Sequence, residues 1–380
     1  MIMAQPQQSP AGPLAGIKVL GLTRARAGPT CTRQLADLGA DVIQISAPGE
    51  DTSSAAFGGS DGFNLNRNKR SMTLDLRTTA DLEVFLQLVD RSDVVVENFR
   101  PGVKHRLGID PESLMKRNPR LVYASLSGFG QDGPYAGRPA LDQVIQGMSG
   151  LMSVTGPPGS GPWRAGIAIF DVATGQMLAQ GVIAALFARE RTGRGQWVHT
   201  SLLETAISMM DFQAVRWLID GVVPESTGNA HPSMPLQGGA TLPTSDGYIN
   251  VAALGGIDQL LTAMGLDVDD GESADRVHER VAAALATRTT AEWLDQLAGV
   301  VPCGPVLRMD EVFADPQVEH LQMSCPVTAE DGREVNVLRT PLNFSETKPS
   351  VRRGPYRPGE HTEEVLAELA HDSVDAGRMP

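Results

Sequence analysis

Cysteine is scarce in this sequence: the 380 residues include only three, Cys31, Cys303 and Cys325, and they lie far apart. An odd number of widely spaced cysteines argues against a disulfide framework. None of the seven histidines has a second histidine or a cysteine at the spacing of a metal site. We therefore expect no bound metal and a reducing compartment, the cytoplasm, as the simplest location.

Positive charge is also scarce, because 32 lysines and arginines face 45 aspartates and glutamates, a formal net charge of −13. Nucleic-acid binding needs a positive surface that displaces counterions from phosphates, so we expect no nucleic-acid partner. No apolar run reaches the roughly 20 residues needed to span a bilayer, and the N-terminus has no cationic segment before an apolar one. We expect no membrane association and no secretory signal, with residues 1–12 as a disordered lead.

The usual phosphate-binding motifs are missing as well. There is no G-x-x-x-x-G-K-[ST] segment, and the G-x-G-x-x-G match at 128–133 is followed by Pro134 and a loop-like segment. A dinucleotide site requires this motif to open a helix whose N-terminus receives the pyrophosphate. The match therefore does not predict such a site.

What the sequence does contain is an alternation of strand and helix patterns over its first 130 residues. Strands are predicted at 16–23, 41–46, 93–98 and 121–127, and helices at 28–40, 78–92 and 110–120. This alternation predicts a parallel α/β sheet. Such sheets bind ligands beyond the carboxyl ends of their strands, which are the turns after Thr23, Glu97 and Ser127.

The chain is too long for one core, so about two domains are expected. A Gly/Pro-rich segment at 225–243 separates the first region from a strand at 247–254 and two helical runs within 274–300. This second region predicts a smaller α+β domain.

Residues 64–77 form a basic segment, with Arg67, Lys69, Arg70 and Arg77 against Asp75 alone. Such a segment is either a solvated charged loop or a binding site for an anionic ligand, and its composition leaves both open.

A single carboxylate, Asp171, interrupts the otherwise apolar stretch at 165–186. Taken alone, it is most simply a helix N-cap. A helix N-terminus would also hold the carboxylate ionised, and an ionised carboxylate can attack an activated acyl group. The small or compact residues at 172–175 would let a ligand approach it.

Ordered blocks along residues 13–370 resemble the class III CoA-transferases, the CaiB/BaiF family. The blocks are AGP…LADLGADV, NKRSMTLDL, VVVENFRPG, LVYASLSGFGQDGP, DVATG, RTGRGQWV, VPCGPV and GEHTEEVL. The resemblance implies an enzyme that moves CoA from an acyl-CoA to a small carboxylic acid through an aspartyl-CoA thioester on Asp171. CoA and acyl-CoA would be substrates, with no metal, nicotinamide or ATP.

The resemblance also assigns residues that contact CoA. They would be Leu74, Arg77, Asn98, Phe99 and Arg106. The two arginines would meet phosphates, and the phenyl ring would lie against the adenine.

Four further residues are assigned to the reaction centre by the same resemblance. Ala25, Arg26 and Ala27 would lie near the pantetheine end of CoA, and Asp142 would support the site without reacting. Arg26 would pair with a carboxylate of the acceptor, which suggests a dicarboxylic acid.

The fold implied by the resemblance is an open, Rossmann-like α/β large domain with a smaller α+β domain, assembled as an interlocked homodimer. The corresponding ranges are 13–224 for the large domain, 225–329 for the small domain and 330–380 for a C-terminal return to the large one.

Two alternative functions stay open. An α-methylacyl-CoA racemase of this family would need a histidine where Leu141 stands, and a non-catalytic CoA-binding protein would not need the intact DVATG block. An oxalate-specific transferase is not supported, because its loop glutamine and two tyrosines are matched by Arg26, Asp61 and Leu141. Its Gly-rich lid has only the shorter segment 236–241 as a counterpart.

Overall fold

The computed structural model describes residues 12–50, 59–234, 236, 239–269, 271–328 and 332–376. The expected disordered lead, residues 1–12, lies outside the described residues except for Gly12. Residues 237 and 238 of the segment 236–241 also lie outside them.

The chain is divided into two units, each with its own contacts. Unit 1 runs up to Ser149 and includes Gly166–Asp211 and the chain from Gln322 onward; unit 2 comprises Gly150–Ala165 and Phe212–Leu321. The strands are β1 Lys18–Leu22, β2 Asp41–Ser46, β3 Lys69–Thr73, β4 Val94–Glu97, β5 Val122–Ser127, β6 Trp197–Ser201, β7 Ala240–Pro243, β8 Tyr248–Val251, β9 Cys303–Pro305, β10 Ser324–Thr328 and β11 Glu334–Leu338. The helices are α1 Ala27–Asp37, α2 Ser60–Asn66, α3 Thr79–Asp90, α4 Pro101–Leu107, α5 Pro111–Arg117, α6 Asp142–Met148, α7 Leu151–Val154, α8 Ile169–Thr192, α9 Leu202–Met209, α10 Asp211–Asp220, α11 Ile257–Met264, α12 Ala274–Leu285, α13 Thr290–Leu297, α14 Met309–Val312, α15 Pro316–Leu321 and α16 Thr362–Ala376.

Unit 1 is built on a six-stranded sheet of order β3-β2-β1-β4-β5-β6, in which every neighbouring pair is parallel. The predicted α/β class is confirmed. The strand order reverses between β1 and β4, and open parallel sheets bind ligands at such a reversal. Val94, Val95 and Val96 are fully buried, as expected of a strand covered on both faces by helices.

Helix α8 packs along α1, and the contact depends on one glycine. A Cβ added to Gly175 would lie 2.5 Å from the carbonyl oxygen of Ala27 and 2.7 Å from the Cβ of Thr30. Only glycine allows this close approach. The crossing therefore holds the first turn of α1 against the N-terminal half of α8.

The basic segment 64–77 is mostly internal, so neither a solvated loop nor an anion-binding site describes it as a whole. Arg67, Lys69 and Arg70 are buried, and β3 runs through the segment. Their internal partners are Asp37 for Arg67, the Pro29 carbonyl for Lys69, and Asp41, Glu364 and Glu368 for Arg70. Buried charges need such partners, and Arg77 is the member of the group that stays exposed.

Unit 2 contains a three-stranded antiparallel sheet, β7-β8-β9, with helices α11, α12 and α13. Its core is a cluster of apolar side chains that includes Ile249, Leu260, Val281 and Trp293. The unit differs from the predicted range 225–329, because it starts at Phe212, ends at Leu321 and includes Gly150–Ala165. That inserted segment is tied in by the Gly228 N–H, which donates to the Gly156 carbonyl at 3.2 Å.

Among the described residues, α8 is the one helix long and apolar enough to cross a bilayer by length and composition. Its buried side chains, including Leu178, Val182 and Ala185, belong to a helix that packs on α1, β5, β6 and α9. A core helix of a globular domain has these same properties, so α8 by itself is weak evidence for a membrane span.

Candidate active site

The loops after β1 and β4 meet where the strand order reverses. The Asn98 side chain accepts a hydrogen bond from the Arg24 N–H at 2.9 Å and donates one to the Arg24 carbonyl at 2.8 Å. From β2, the Gln44 amide donates to the Thr23 carbonyl at 2.9 Å. These bonds hold Ala25 at a φ of 57°, the left-handed region that a residue with a Cβ seldom adopts.

Asp171 lies in the first turn of α8, two residues after the helix begins at Ile169. The N-cap is Ala168, which has no capping side chain, so the interpretation of Asp171 as an N-cap is wrong.

Asp142 lies at the start of α6, far from α8 in the sequence, and its carboxylate accepts hydrogen bonds from two backbone N–H groups in the first turn of α8. One carboxylate oxygen accepts from the N–H of Phe170 at 2.8 Å and of Asp171 at 3.2 Å, and the other accepts from the Gln146 amide. These are charge-assisted bonds to helix donors that would otherwise be unpaired. Asp142 thus positions the turn that carries Asp171.

The pKa of Asp171 is raised to about 6, first by burial and second by the neighbouring Asp142 carboxylate, while Arg26 opposes the shift. This shift is opposite to the one that a helix N-terminus alone would cause, because burial and the Asp142 charge raise the pKa. Asp171 is still mainly ionised at neutral pH, and it is more basic than an ordinary aspartate.

The guanidinium of Arg26 is already paired. Both of its terminal nitrogens donate to Asp61 of α2, the Nη1–Oδ1 bond being 2.9 Å. Since an internal carboxylate occupies these donors, the structure gives Arg26 a structural partner in place of the expected substrate carboxylate.

Asp171 opens into a cavity of about 260 Å³ within unit 1. The lining includes Ala25, Ala27, Asn98 and Phe99 from the predicted set, together with Asp171. Neither Arg26 nor Asp142 is part of the lining. Among the described residues that line the cavity there is no histidine, so a racemase's second base is missing from it.

A groove of about 570 Å³ shares lining residues with this cavity. Four of the residues assigned to CoA contact line it: Leu74, Arg77, Phe99 and Arg106. Phe99 and Arg24 line both the groove and the cavity, with the Arg24 guanidinium 5.3 Å from the centre of the Phe99 ring. The structure thus brings the assigned residues together on both sides of Phe99.

Three arginines of the cavity wall, Arg24, Arg100 and Arg138, were missed by the sequence analysis. Each lies in a turn that follows β1, β4 or β5. The sequence analysis already predicted that ligands bind in the turns beyond Thr23, Glu97 and Ser127. The positive charge of the arginines in these turns could have identified them as candidate residues for binding an anionic ligand.

A buried ion pair supports the loop that carries Asn98 and Phe99. Lys104 Nζ donates to Glu97 Oε1 at 2.9 Å, and the two side chains are 1% and 0% exposed. The other Glu97 oxygen accepts from the Phe99 N–H at 2.8 Å, while Lys104 also donates to Ser125 and Gln131. The direction of the chain as it leaves β4 is fixed by these bonds.

No group of three or more histidine, cysteine, aspartate or glutamate side chains in the described part of the chain is arranged to hold a metal ion.

Comparison with known proteins gives a match over residues 14–362 to the model of CoA-transferase family III. The chain is 37% identical to the succinate–glutarate CoA-transferase of Agrobacterium fabrum, over 94% of this chain and 96% of the relative. It is 34% identical to a succinyl-CoA:mesaconate CoA-transferase of Haloarcula hispanica, over 94% and 96%. The crystal structure of a CaiB/BaiF family protein from Brucella suis has a TM-score of 0.83 and 35% identity, covering 94% of this chain and 100% of that one.

Proposed function

Since this chain belongs to CoA-transferase family III, we propose that it moves CoA from an acyl-CoA to a carboxylic acid and that Asp171 carries CoA between them. The observation that carries the proposal is the position of Asp171 in a cavity that adjoins an arginine-lined groove. A basic carboxylate beside a site suited to a long anionic ligand is what this reaction requires.

CoA would lie with its phosphates along the groove and its thioester in the cavity. Arg106 offers its guanidinium to the phosphates, and the exposed Arg77, which bonds Asp75 through Nε and Nη2, offers Nη1. Phe99, which lines both spaces, would guide the chain between them. The small side chains of Ala25 and Ala27 leave room for the pantetheine arm beside Asp171.

The proposed reaction exchanges one thioester for another in balanced steps. The Asp171 carboxylate attacks the acyl-CoA carbonyl, giving a mixed anhydride and releasing CoA thiolate. The thiolate attacks the Asp171 carbonyl, which gives an aspartyl-CoA thioester and frees the donor acid. The acceptor carboxylate attacks that thioester to form a second anhydride and thiolate. Attack of the thiolate on the acceptor's carbonyl yields the new acyl-CoA and regenerates Asp171.

This chain's residues favour the first attack electrostatically. Burial and the Asp142 charge make Asp171 a stronger base, and a stronger base of the same type is a better nucleophile. The hydrogen bonds from Phe170 and Asp171 to Asp142 keep the attacking turn in place during the cycle.

The acid substrates are proposed to include dicarboxylic acids. The relatives named above are called succinate–glutarate and succinyl-CoA:mesaconate CoA-transferases, and all three acids carry two carboxylates. These names support a class of substrate without selecting one member of it.

The proposal is tested by mass spectrometry of the intact protein after mixing with succinyl-CoA. We expect an added mass equal to CoA less water, located by digestion on the peptide that contains Asp171 and removed by hydroxylamine. Binding of acyl-CoA without any adduct would favour the non-catalytic CoA-binding alternative.

The kcat/KM of CoA transfer should fall at acidic pH. Because Asp171 must be ionised to attack and its pKa is about 6, kcat/KM should fall about tenfold per pH unit below that value. Asp142→Asn removes the like charge while keeping an oxygen acceptor for the two amides, so it should move the acid limb to lower pH. Arg26→Gln removes the opposing cation and should move the limb to higher pH. Initial rates from pH 4 to 8 measure all three, and a wild-type limb near the ordinary aspartate value would contradict the assignment.

We propose that two copies of the chain form the interlocked homodimer expected from the family resemblance. Helix α10 exposes Trp217, Leu218 and Ile219, and Phe187 of α8 is 66% exposed. Exposed apolar side chains in such numbers are typical of interaction surfaces. Sedimentation of a species no larger than the 40.4 kDa chain would contradict the dimer.

We propose the cytoplasm as the location. All three cysteines are free thiols, as is usual in a reducing compartment. Cell fractionation tests this, and recovery of the protein outside the cytoplasmic fraction would contradict it.

A further inference from the structure

Arg138 lies in the wall of the Asp171 cavity, and its guanidinium lies close over the ring of Tyr135. Its Cζ lies 3.8 Å from the centre of the Tyr135 ring, and Tyr135 meets Phe129 edge-on with centres 5.8 Å apart. Stacking restrains the plane of a guanidinium and leaves the N–H groups at its edge available. A guanidinium whose N–H groups stay available can bind a carboxylate through two parallel hydrogen bonds.

Arg138 has no ion-pair partner among the described residues, unlike three other arginines of this region. Arg24 pairs with Glu50, Arg26 with Asp61 and Arg77 with Asp75. Within a protein of net charge −13, a guanidinium without an ion-pair partner that lines the same cavity as Asp171 is suited to an anionic part of the substrate.

Arg100 also lines the cavity without an ion-pair partner in the described part of the chain, so the two arginines must be distinguished. Arg100 directly follows Phe99, the residue shared with the groove of Arg77 and Arg106, which places it next to the proposed path of CoA. Arg138 belongs to the loop after β5, none of which lines the groove. Its guanidinium is therefore the one that serves the acid end of the cavity.

We propose that Arg138 binds the second carboxylate of a dicarboxylic acid whose first carboxylate reacts at Asp171, and that it is the residue that selects dicarboxylates over monocarboxylates. The inference rests on the proposed function and adds a residue that determines specificity. The second carboxylate stays intact throughout; it gains two N–H···O bonds and takes no part in the exchange of thioesters.

The test uses enzyme already loaded with CoA, so that the donor's own recognition does not interfere. The wild-type protein is treated with succinyl-CoA, desalted and mixed with glutarate or with pentanoate, which has the same chain length and one carboxylate. The rate of new acyl-CoA formation is measured for the wild type, Arg138→Met, Arg138→Lys and the control Arg100→Met.

Arg138→Met should slow discharge to glutarate by about 10-fold to 100-fold, the effect of losing charge-assisted hydrogen bonds, and should leave discharge to pentanoate nearly unchanged. Arg138→Lys should restore part of the rate, because it returns the charge without the bidentate fork. Arg100→Met should keep the wild-type ratio of glutarate to pentanoate rates.

Three results would overturn the inference: a wild type that does not prefer glutarate, an Arg138→Met variant that slows both acids equally, or one that slows neither. Each leaves the loading of Asp171 intact and so leaves the proposed function standing. If the wild-type protein forms no CoA thioester on Asp171, the proposed function is contradicted, and the inference about Arg138 is contradicted as well.

Discussion

Replacing Asp171 with asparagine should lower kcat/KM for CoA transfer by about four orders of magnitude or more, the usual cost of removing a covalent nucleophile. The substitution keeps the shape of the side chain and removes its charge and its nucleophilic oxygen pair. The backbone N–H of residue 171 still donates to Asp142, so the turn should keep its position. Rates are measured by chromatographic separation of the donor and product CoA esters.

The variant should fold and bind acyl-CoA. The pKa of Asp171 is raised in the folded state, so the ionised carboxylate works against folding above about pH 6, and its removal should not lower stability at pH 8. Asp171→Ala serves as a second variant, since asparagine can revert to aspartate by deamidation. Appreciable transfer by the alanine variant, or a CoA adduct on another residue, would contradict the role of Asp171.

The strands of unit 1 were predicted well where apolar residues dominate their sequences. The strand predicted at 41–46 coincides with β2, and that predicted at 121–127 starts one residue before β5. β3 was missed because its sequence, KRSMT, is dominated by residues that are normally solvated. Its burial depends on carboxylates and a carbonyl far away in the sequence, such as Glu364 and Pro29, and no local pattern reveals such partners.

In the candidate site, too, local sequence identified individual residues but not the contacts between residues far apart in the sequence. Asp171 was singled out from its own neighbourhood, and the family resemblance supplied Arg77, Phe99 and Arg106, which the structure gathers in one groove. Two contacts between residues distant in the sequence could not be predicted from it. They are the bonds of Asp142 to the first turn of α8 and the ion pair of Arg26 with Asp61. These pairings also affect the chemistry, because the Asp142 charge adds to burial in raising the pKa of Asp171 and Asp61 occupies the donors of Arg26.

The loops at the strand-order reversal keep their shape through the buried pair of Glu97 and Lys104, and Lys104→Met should therefore reduce stability strongly. The free energy of unfolding should fall by about 3–5 kcal/mol, since the variant leaves the Glu97 carboxylate buried without its cation. Ser125 and Gln131 would lose a hydrogen-bond partner at the same time. Urea denaturation followed by circular dichroism measures the change.

Two further variants separate this effect from general intolerance to substitution. Lys116→Met on α5 removes an exposed lysine and should change stability by no more than about 0.5 kcal/mol. In the double variant Glu97→Gln with Lys104→Met, the buried charge is gone, while the glutamine oxygen can still accept from the Phe99 N–H. The double variant should recover most of the lost stability, because the main cost of the single change is an unpaired buried charge. If it is no more stable than Lys104→Met, or if Lys104→Met unfolds at the same urea concentration as Lys116→Met, the ion pair does not hold the loop at Phe99 in place.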